Sequence, residues 1–231
     1  MSFCYQLGAK NKEIKKEEKQ LMIVNSNFKA GGLVGICNGS EIMSSGVENG
    51  IIFSQEESGG ISSEMINVGD LSQVYTRPNV SVESNGNVGG ISSIFVFNQN
   101  NKINISNFYS ASKLFAKHKI GGFFASFDLS DETNLLVLNS FDSSFISSNS
   151  SSTQIGNIIS FFDPCLPKFQ NVFFNLTDNR FVNAFGNHQN VSSVLGLPSS
   201  QLYFSILSKY NQENLWCSNR LRIEHNFICS N

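Results

Sequence analysis

Apolar and polar residues alternate in short runs along most of this chain, and the runs recur behind pairs of glycines. Gly31-Gly32, Gly59-Gly60, Gly89-Gly90 and Gly121-Gly122 each open one, and Gly156-Asn157 opens a fifth. The starts at 31, 59, 89, 121 and 156 lie 28 to 35 residues apart, a near-fixed period of the kind that marks solenoids and repeat arrays. Aligned on the glycines, alternate positions form three columns. The first holds Leu33, Ile61, Ile91, Phe123 and Ile158; the second Gly35, Ser63, Ser93, Ala125 and Ser160; the third Cys37, Met65, Phe95, Phe127 and Phe162. Period-two alternation with one large apolar face predicts a half-buried strand.

A second strand is predicted after each of these, again with three columns. Met43, Leu71, Ile105, Val137 and Phe169 make its first, and Val47, Tyr75, Tyr109, Phe141 and Phe173 its third. Between them runs a polar column of Ser45, Gln73, Asn107, Asn139 and Asn171. Such a column predicts an internal amide ladder in which Asn107, Asn139 and Asn171 bond coil to coil. A weaker apolar cluster at 51–53, 80–82, 114–115, 145–146 and 181–182 completes each repeat. The pattern therefore predicts an all-β chain, a parallel β-solenoid (β-helix-like) of about five three-strand coils. Gly31, Gly32, Gly59, Gly60, Gly89, Gly90, Gly121, Gly122 and Gly156 are expected at its corners, where positive φ favours glycine.

Three segments follow. Residues 1–22 are charged and expected to be helical or disordered, 23–198 carry the repeats, and 199–231 are a C-terminal cap or irregular extension. The net charge of −2 gives no electrostatic case for nucleic acid. No run of 18 apolar residues exists, so membrane insertion is not expected. The opening residues do not read as a signal peptide. Five cysteines without zinc spacing are expected to be buried thiols, and no cofactor or metal is implied.

The repeats resemble the GLUG motif, a short repeat of bacterial surface and adhesin-like proteins. Gly31-Gly32-Leu33-Val34-Gly35 matches its first segment; Asn107-Phe108-Tyr109-Ser110 and Asn139-Ser140-Phe141 match its second. The resemblance implies a right-handed solenoid, a structural rather than catalytic role, and a cell-surface or extracellular setting within a longer exported protein.

Function is expected where the repeats differ in length. The link between first and second strands lengthens in repeats three to five, and per-repeat insertions on one side of a solenoid form its binding surface. Asn98, Gln99, Asn100 and Lys102 of repeat three should neighbour Asp128, Asp131 and Glu132 of repeat four, with Asp163 beyond. The acidic residues lack the spacing of a calcium loop and read as a solvated face. The sequence thus predicts a non-enzymatic structural or adhesive module that offers these corner loops to a protein or glycan. The alternatives are a polysaccharide-acting β-helix enzyme, which needs acidic and basic groups together on an outer face, and a piece of a larger surface protein with no separate activity.

Overall fold

The computed structural model describes residues 3–5, 10–14, 21–98, 103–129, 135–164, 167–177, 183–186 and 193–201. They form a parallel β-solenoid whose coils contribute one strand to each of three sheets. The turn sheet consists of Lys29–Gly31, Glu57–Gly59, Asn87–Gly89, Lys119–Gly121 and Gln154–Gly156. The narrow sheet follows each glycine pair with Val34–Asn38, Ser62–Ile66, Ser92–Phe97, Phe124–Leu129 and Ile159–Pro164. The broad sheet holds Leu21–Ser26, Glu41–Ser54, Asp70–Ser84, Ile103–Ser110 with Lys113–Phe115, Leu135–Asp142 with Phe145–Ser147, Lys168–Asn175 and Val194–Leu197. Five stacked turn strands bound four full turns, and the last of them begins a fifth. In the first two coils the second and third predicted strands are one continuous strand.

The first strand's columns stack as the pattern predicts. Cys37, Met65, Phe95, Phe127 and Phe162 are Cα partners from coil to coil. All five lie in the interior, where the Phe95 and Phe127 rings stack with centroids 4.6 Å apart. Ile61, Ile91, Phe123 and Ile158 are fully buried, each N–H donating to the carbonyl of its counterpart one coil on or, for Ile158, of Ala184. Leu33 heads the column and is 40% exposed, with no earlier turn strand among the described residues to cover it.

The second strand departs from the prediction in register and in facing. Ile42, not Met43, pairs with Leu71, and Met43 is exposed. The polar column is accordingly Ser44, Gln73, Asn107, Asn139 and Asn171, with Ser44 in place of Ser45. All five have φ between 48° and 59°. Asn and other short polar side chains tolerate this left-handed conformation best. It bends the strand and shifts its in–out alternation by one residue. The column therefore lies at the surface or half-buried rather than inside, and Val74, Phe108, Ser140 and Val172 turn inward instead. Only part of the amide ladder forms: Asn171 Nδ2 donates to Asn139 Oδ1 at 3.0 Å, whereas Asn107 Oδ1 has no partner. The same shift turns Tyr75, Tyr109, Phe141 and Phe173 away from the main core into a second cluster, in which Tyr109, Phe141 and Phe173 are buried and Tyr75 is half-buried, and places Val47 inside the main core. At Asn139, Gly should be tolerated, but Val should cost about 1–2 kcal/mol more than Gly, measured by urea unfolding.

The glycine pairs also have a different cause from the expected one. None has positive φ; among described glycines only Gly39 does, at 62°. Close approach explains them instead. A Cβ on Gly31, Gly59, Gly89, Gly121 or Gly156 would lie 1.8–2.0 Å from the carbonyl oxygen three residues on. A Cβ on Gly32, Gly60, Gly90 or Gly122 would lie 1.9–2.2 Å from the carbonyl of its counterpart in the next coil.

The N-terminal segment is not helical where it is described. Phe3–Tyr5 and Lys10–Ile14 are strands that pair antiparallel with Val34–Asn38 and Leu21–Ser26. They close the edges of the narrow and broad sheets, and a lysine-rich outer strand discourages further pairing. Cys37, expected as a thiol, is disulfide-bonded, and its Cα partner across the antiparallel pair is that of Cys4. At the other end Val194–Leu197 adds a parallel strand to Lys168–Asn175. Residues 181–182 of the third apolar cluster and the cap beyond 201 lie outside the described residues.

Candidate functional site

The corner between the narrow and broad sheets is where the sequence places the binding surface. Phe97, Leu129 and Pro164 are Cα partners at the ends of three successive narrow strands. The chain re-enters the broad sheet at Ile103 and Leu135, which are partners, and at Lys168, the partner of Leu136. The longer connections of repeats three to five thus leave from and return to stacked positions, on one side of the rod. Asn98 is exposed, and its backbone N–H donates to Asn67 Oδ1 at 2.8 Å, tying this corner to the coil before. Asp128 is exposed and is the Cα partner of Asp163. Gln99, Asn100, Lys102, Asp131 and Glu132 lie outside the described residues. Among the described residues no group of three or more His, Cys, Asp or Glu could hold a metal ion.

A second polar cluster is one that the sequence reading missed. It sits on the outer side of the turn sheet, where that sheet meets the narrow sheet. Lys29, Glu57, Asn87, Lys119 and Gln154 are in register two residues before each first glycine. Lys29 Nζ forms an ion pair with Glu64 Oε2 of the narrow sheet. Glu57 accepts hydrogen bonds from Ser93 Oγ and, at 2.9 Å, from Asn87 Nδ2. Burial pushes the Glu57 carboxyl up, while Ser93, Asn87 and Lys29 pull it back. Lys119 Nζ lies 4.1 Å from the Phe161 ring centroid. Extending the glycine alignment two residues upstream would have exposed this column.

Lys29, Glu57 and Glu64 thus bring acidic and basic groups together where the turn and narrow sheets meet. The arrangement fastens the two sheets at their re-entrant corner. Ser63 Oγ and Ser160 Oγ do the same by donating to the backbone carbonyls of Glu57 at 3.0 Å and Gln154 at 2.7 Å. This gives the small second column its use: a serine there is short enough to reach the neighbouring sheet.

The third feature is the aromatic column outside the main core, buried except at Tyr75. Tyr75, Tyr109, Phe141 and Phe173 are in register, with the Tyr109 and Phe141 rings 4.3 Å apart. Its exposed end is polar: Tyr75 Oη donates to Glu48 Oε1 at 3.0 Å, and the Arg77 guanidinium lies 5.7 Å from the Tyr75 ring.

No family model matches this sequence, and no curated protein matches it. Among solved structures it is similar to the crystal structure of a "putative immunoglobulin A1 protease" from Bacteroides ovatus. The TM-score is 0.50 at 15% identity, over 80% of this chain and 70% of that one. At that identity the likeness speaks to the solenoid fold.

Proposed function

We propose that this chain is a non-enzymatic structural and adhesive repeat module of the GLUG type, displaying its corner loops to a protein or glycan surface. The observation that carries this reading is the placement of the insertions. The three longer connections depart from Phe97, Leu129 and Pro164, which are successive Cα partners, so variable sequence is gathered on one side of a repetitive rod. Strands on either side fix its ends, which lowers the ordering cost of binding. The disulfide at Cys37 suits the oxidising setting of an exported protein.

The second reading, a polysaccharide-acting enzyme, has Lys29, Glu57 and Glu64 in its favour. Against it, Glu64 is held by Lys29 and Glu57 by Ser93 and Asn87, so the carboxylates are engaged in joining the sheets.

One preparation tests both. The wild type and a variant with Asn98, Gln99, Asn100, Lys102, Asp128, Asp131 and Glu132 changed to serine are applied to glycan arrays and to host-cell surfaces. Loss of at least about tenfold in affinity, with unchanged circular dichroism, is the expected result; a difference of that size is 1.4 kcal/mol. Undiminished binding by the variant removes the corner from consideration. Release of reducing ends from a polysaccharide that Glu57→Gln abolishes would establish the enzymatic reading instead.

A further inference from the structure

The inner column Val47, Thr76, Ser110, Asp142 and Phe174 runs in register through five successive strands of the broad sheet. Opposite it stand the second glycines. A Cβ on Gly32 would lie 2.7 Å from Val47, on Gly60 2.5 Å from Thr76, on Gly90 2.1 Å from Ser110, and on Gly122 2.5 Å from the Asp142 carboxyl. Each side chain thus fills the space that a glycine leaves. One of the five is a carboxylic acid with no exposed surface.

Among the described residues its surroundings supply hydroxyls but no cation. Asp142 Oδ1 accepts from the Ser144 backbone N–H at 3.2 Å, and Oδ2 has no hydrogen-bond partner. Ser144 Oγ meets Ser110 Oγ at 2.7 Å, and the chain continues through Ser112 to Thr76, whose hydroxyls are 2.9 Å apart. The broad sheet faces Asp142 with Ser110, Phe174 and Ser144, and the turn corner faces it with Gly122. None of these is charged or titratable. A buried carboxylate with an orphan oxygen and no counter-ion is costly, whereas the neutral acid loses at most one hydrogen bond.

We propose that Asp142 is a proton-dependent latch: the fourth coil is closed around the neutral acid, and loss of the proton opens it. Burial pushes the carboxyl from its ordinary 3.8 up to about 8, and only the bonds from Ser144 oppose the shift. The folded chain therefore holds a proton that the unfolded chain has released at every pH between these values. Stability from this group is complete below about 4 and is lost as pH rises through about 8.

The test compares urea unfolding of the wild type, Asp142→Asn and Asp142→Ser at pH 5 to 9; serine is what the preceding coil carries at this place. The wild-type unfolding constant should rise by up to about tenfold per pH unit between 5 and 8 relative to either variant. Amide exchange in coils four and five should quicken over the same range in the wild type alone. Should a variant fail to fold, the carbon resonance of the Asp142 carboxyl in the wild type decides, and it should titrate near 8. Parallel pH profiles for wild type and variants, or a carboxyl titrating in the ordinary range, would overturn the latch.

Discussion

Alanine at Gly89 should leave little folded protein, while alanine at Gly69 should be close to neutral. The two sites differ in what a methyl group would meet. At Gly89 a Cβ would lie 1.8 Å from the carbonyl oxygen of Ser92 and 2.8 Å from that of Phe123, one coil on. Both are backbone atoms, Ser92 held in the narrow sheet and the Phe123 carbonyl held by the N–H groups of Ile91 and Ser92, so neither can swing away. At Gly69 the nearest atom is Glu41 Cγ at 3.5 Å, an ordinary contact with a flexible side chain. Overpacking a core with one or two methylenes costs about 1–3 kcal/mol. A clash with two main-chain carbonyls should exceed that, at about 4 kcal/mol or more, a large share of the 5–15 kcal/mol that holds a typical domain. Thermal unfolding followed by circular dichroism separates the outcomes. A Gly89→Ala protein that melts within a few degrees of wild type would mean that the turn is looser than its packing implies.

Gly122→Ala should be nearly as severe, for a reason that Asn157 illustrates. Gly122 faces the carbonyl of Asn157 and the Asp142 carboxyl, and has no room for a side chain. Asn157 occupies the equivalent place one coil later and is fully buried without difficulty. The difference lies in the coil that follows. Residues 183–186 do not repeat the glycine turn, and Asn157 Nδ2 donates to Asn183 O at 3.0 Å, so the altered path receives the amide. Glycine is not required at this place because the segment that follows does not repeat the turn.

These cases show why the solenoid period and the first strand could be read from the sequence while the second strand could not. Glycine spacing and period-two alternation survive translation into structure as long as the strand is regular, and from Phe95 to Phe97 or Phe127 to Leu129 it is. At Asn107 and Asn139 a single left-handed residue breaks the count, and everything after it faces the other way. Tyr109 and Phe141 look like members of the main core in any hydrophobicity pattern, and they are buried, but in a separate cluster. Ser110 and Asp142 look like surface residues, yet they are inside. Asn in mid-strand is the visible sign of such a break, since it is the residue that bears positive φ most readily after glycine. The pairing of Phe3–Tyr5 was hidden for another reason: a three-residue antiparallel strand shares no period with the repeats. The corner loops were found by length alone, and the column at Lys29, Glu57 and Asn87 was overlooked because its members share a place rather than a chemistry.

Phe127→Ala should be the most damaging substitution of a core side chain, at about 3–5 kcal/mol. Phe127 is fully buried in the middle of the rod, stacked on Phe95 at an interplanar angle of 11° and set edge-on against Phe124 with centroids 4.9 Å apart. Removing the ring leaves a cavity bounded by sheets that are pinned by coils above and below, so collapse is restricted and the cost stays near the upper end of the range. Phe127→Leu keeps most of the volume and should lose less than half as much. A double-mutant cycle with Phe95 should return a coupling of about 0.5–1.5 kcal/mol, the worth of an aromatic pair beyond its burial. Position along the rod matters as much as chemistry, because a solenoid's stability is a sum of coil terms and neighbour terms. A defect at Phe127 weakens the interfaces to both adjacent coils, whereas one at Val24 in the first broad strand touches the end of the stack. Val24→Ala should therefore leave amide exchange in coils three to five unchanged, while Phe127→Ala should speed it throughout them. Equal disturbance of the distant coils by both substitutions would show that the rod unfolds as a single unit rather than coil by coil.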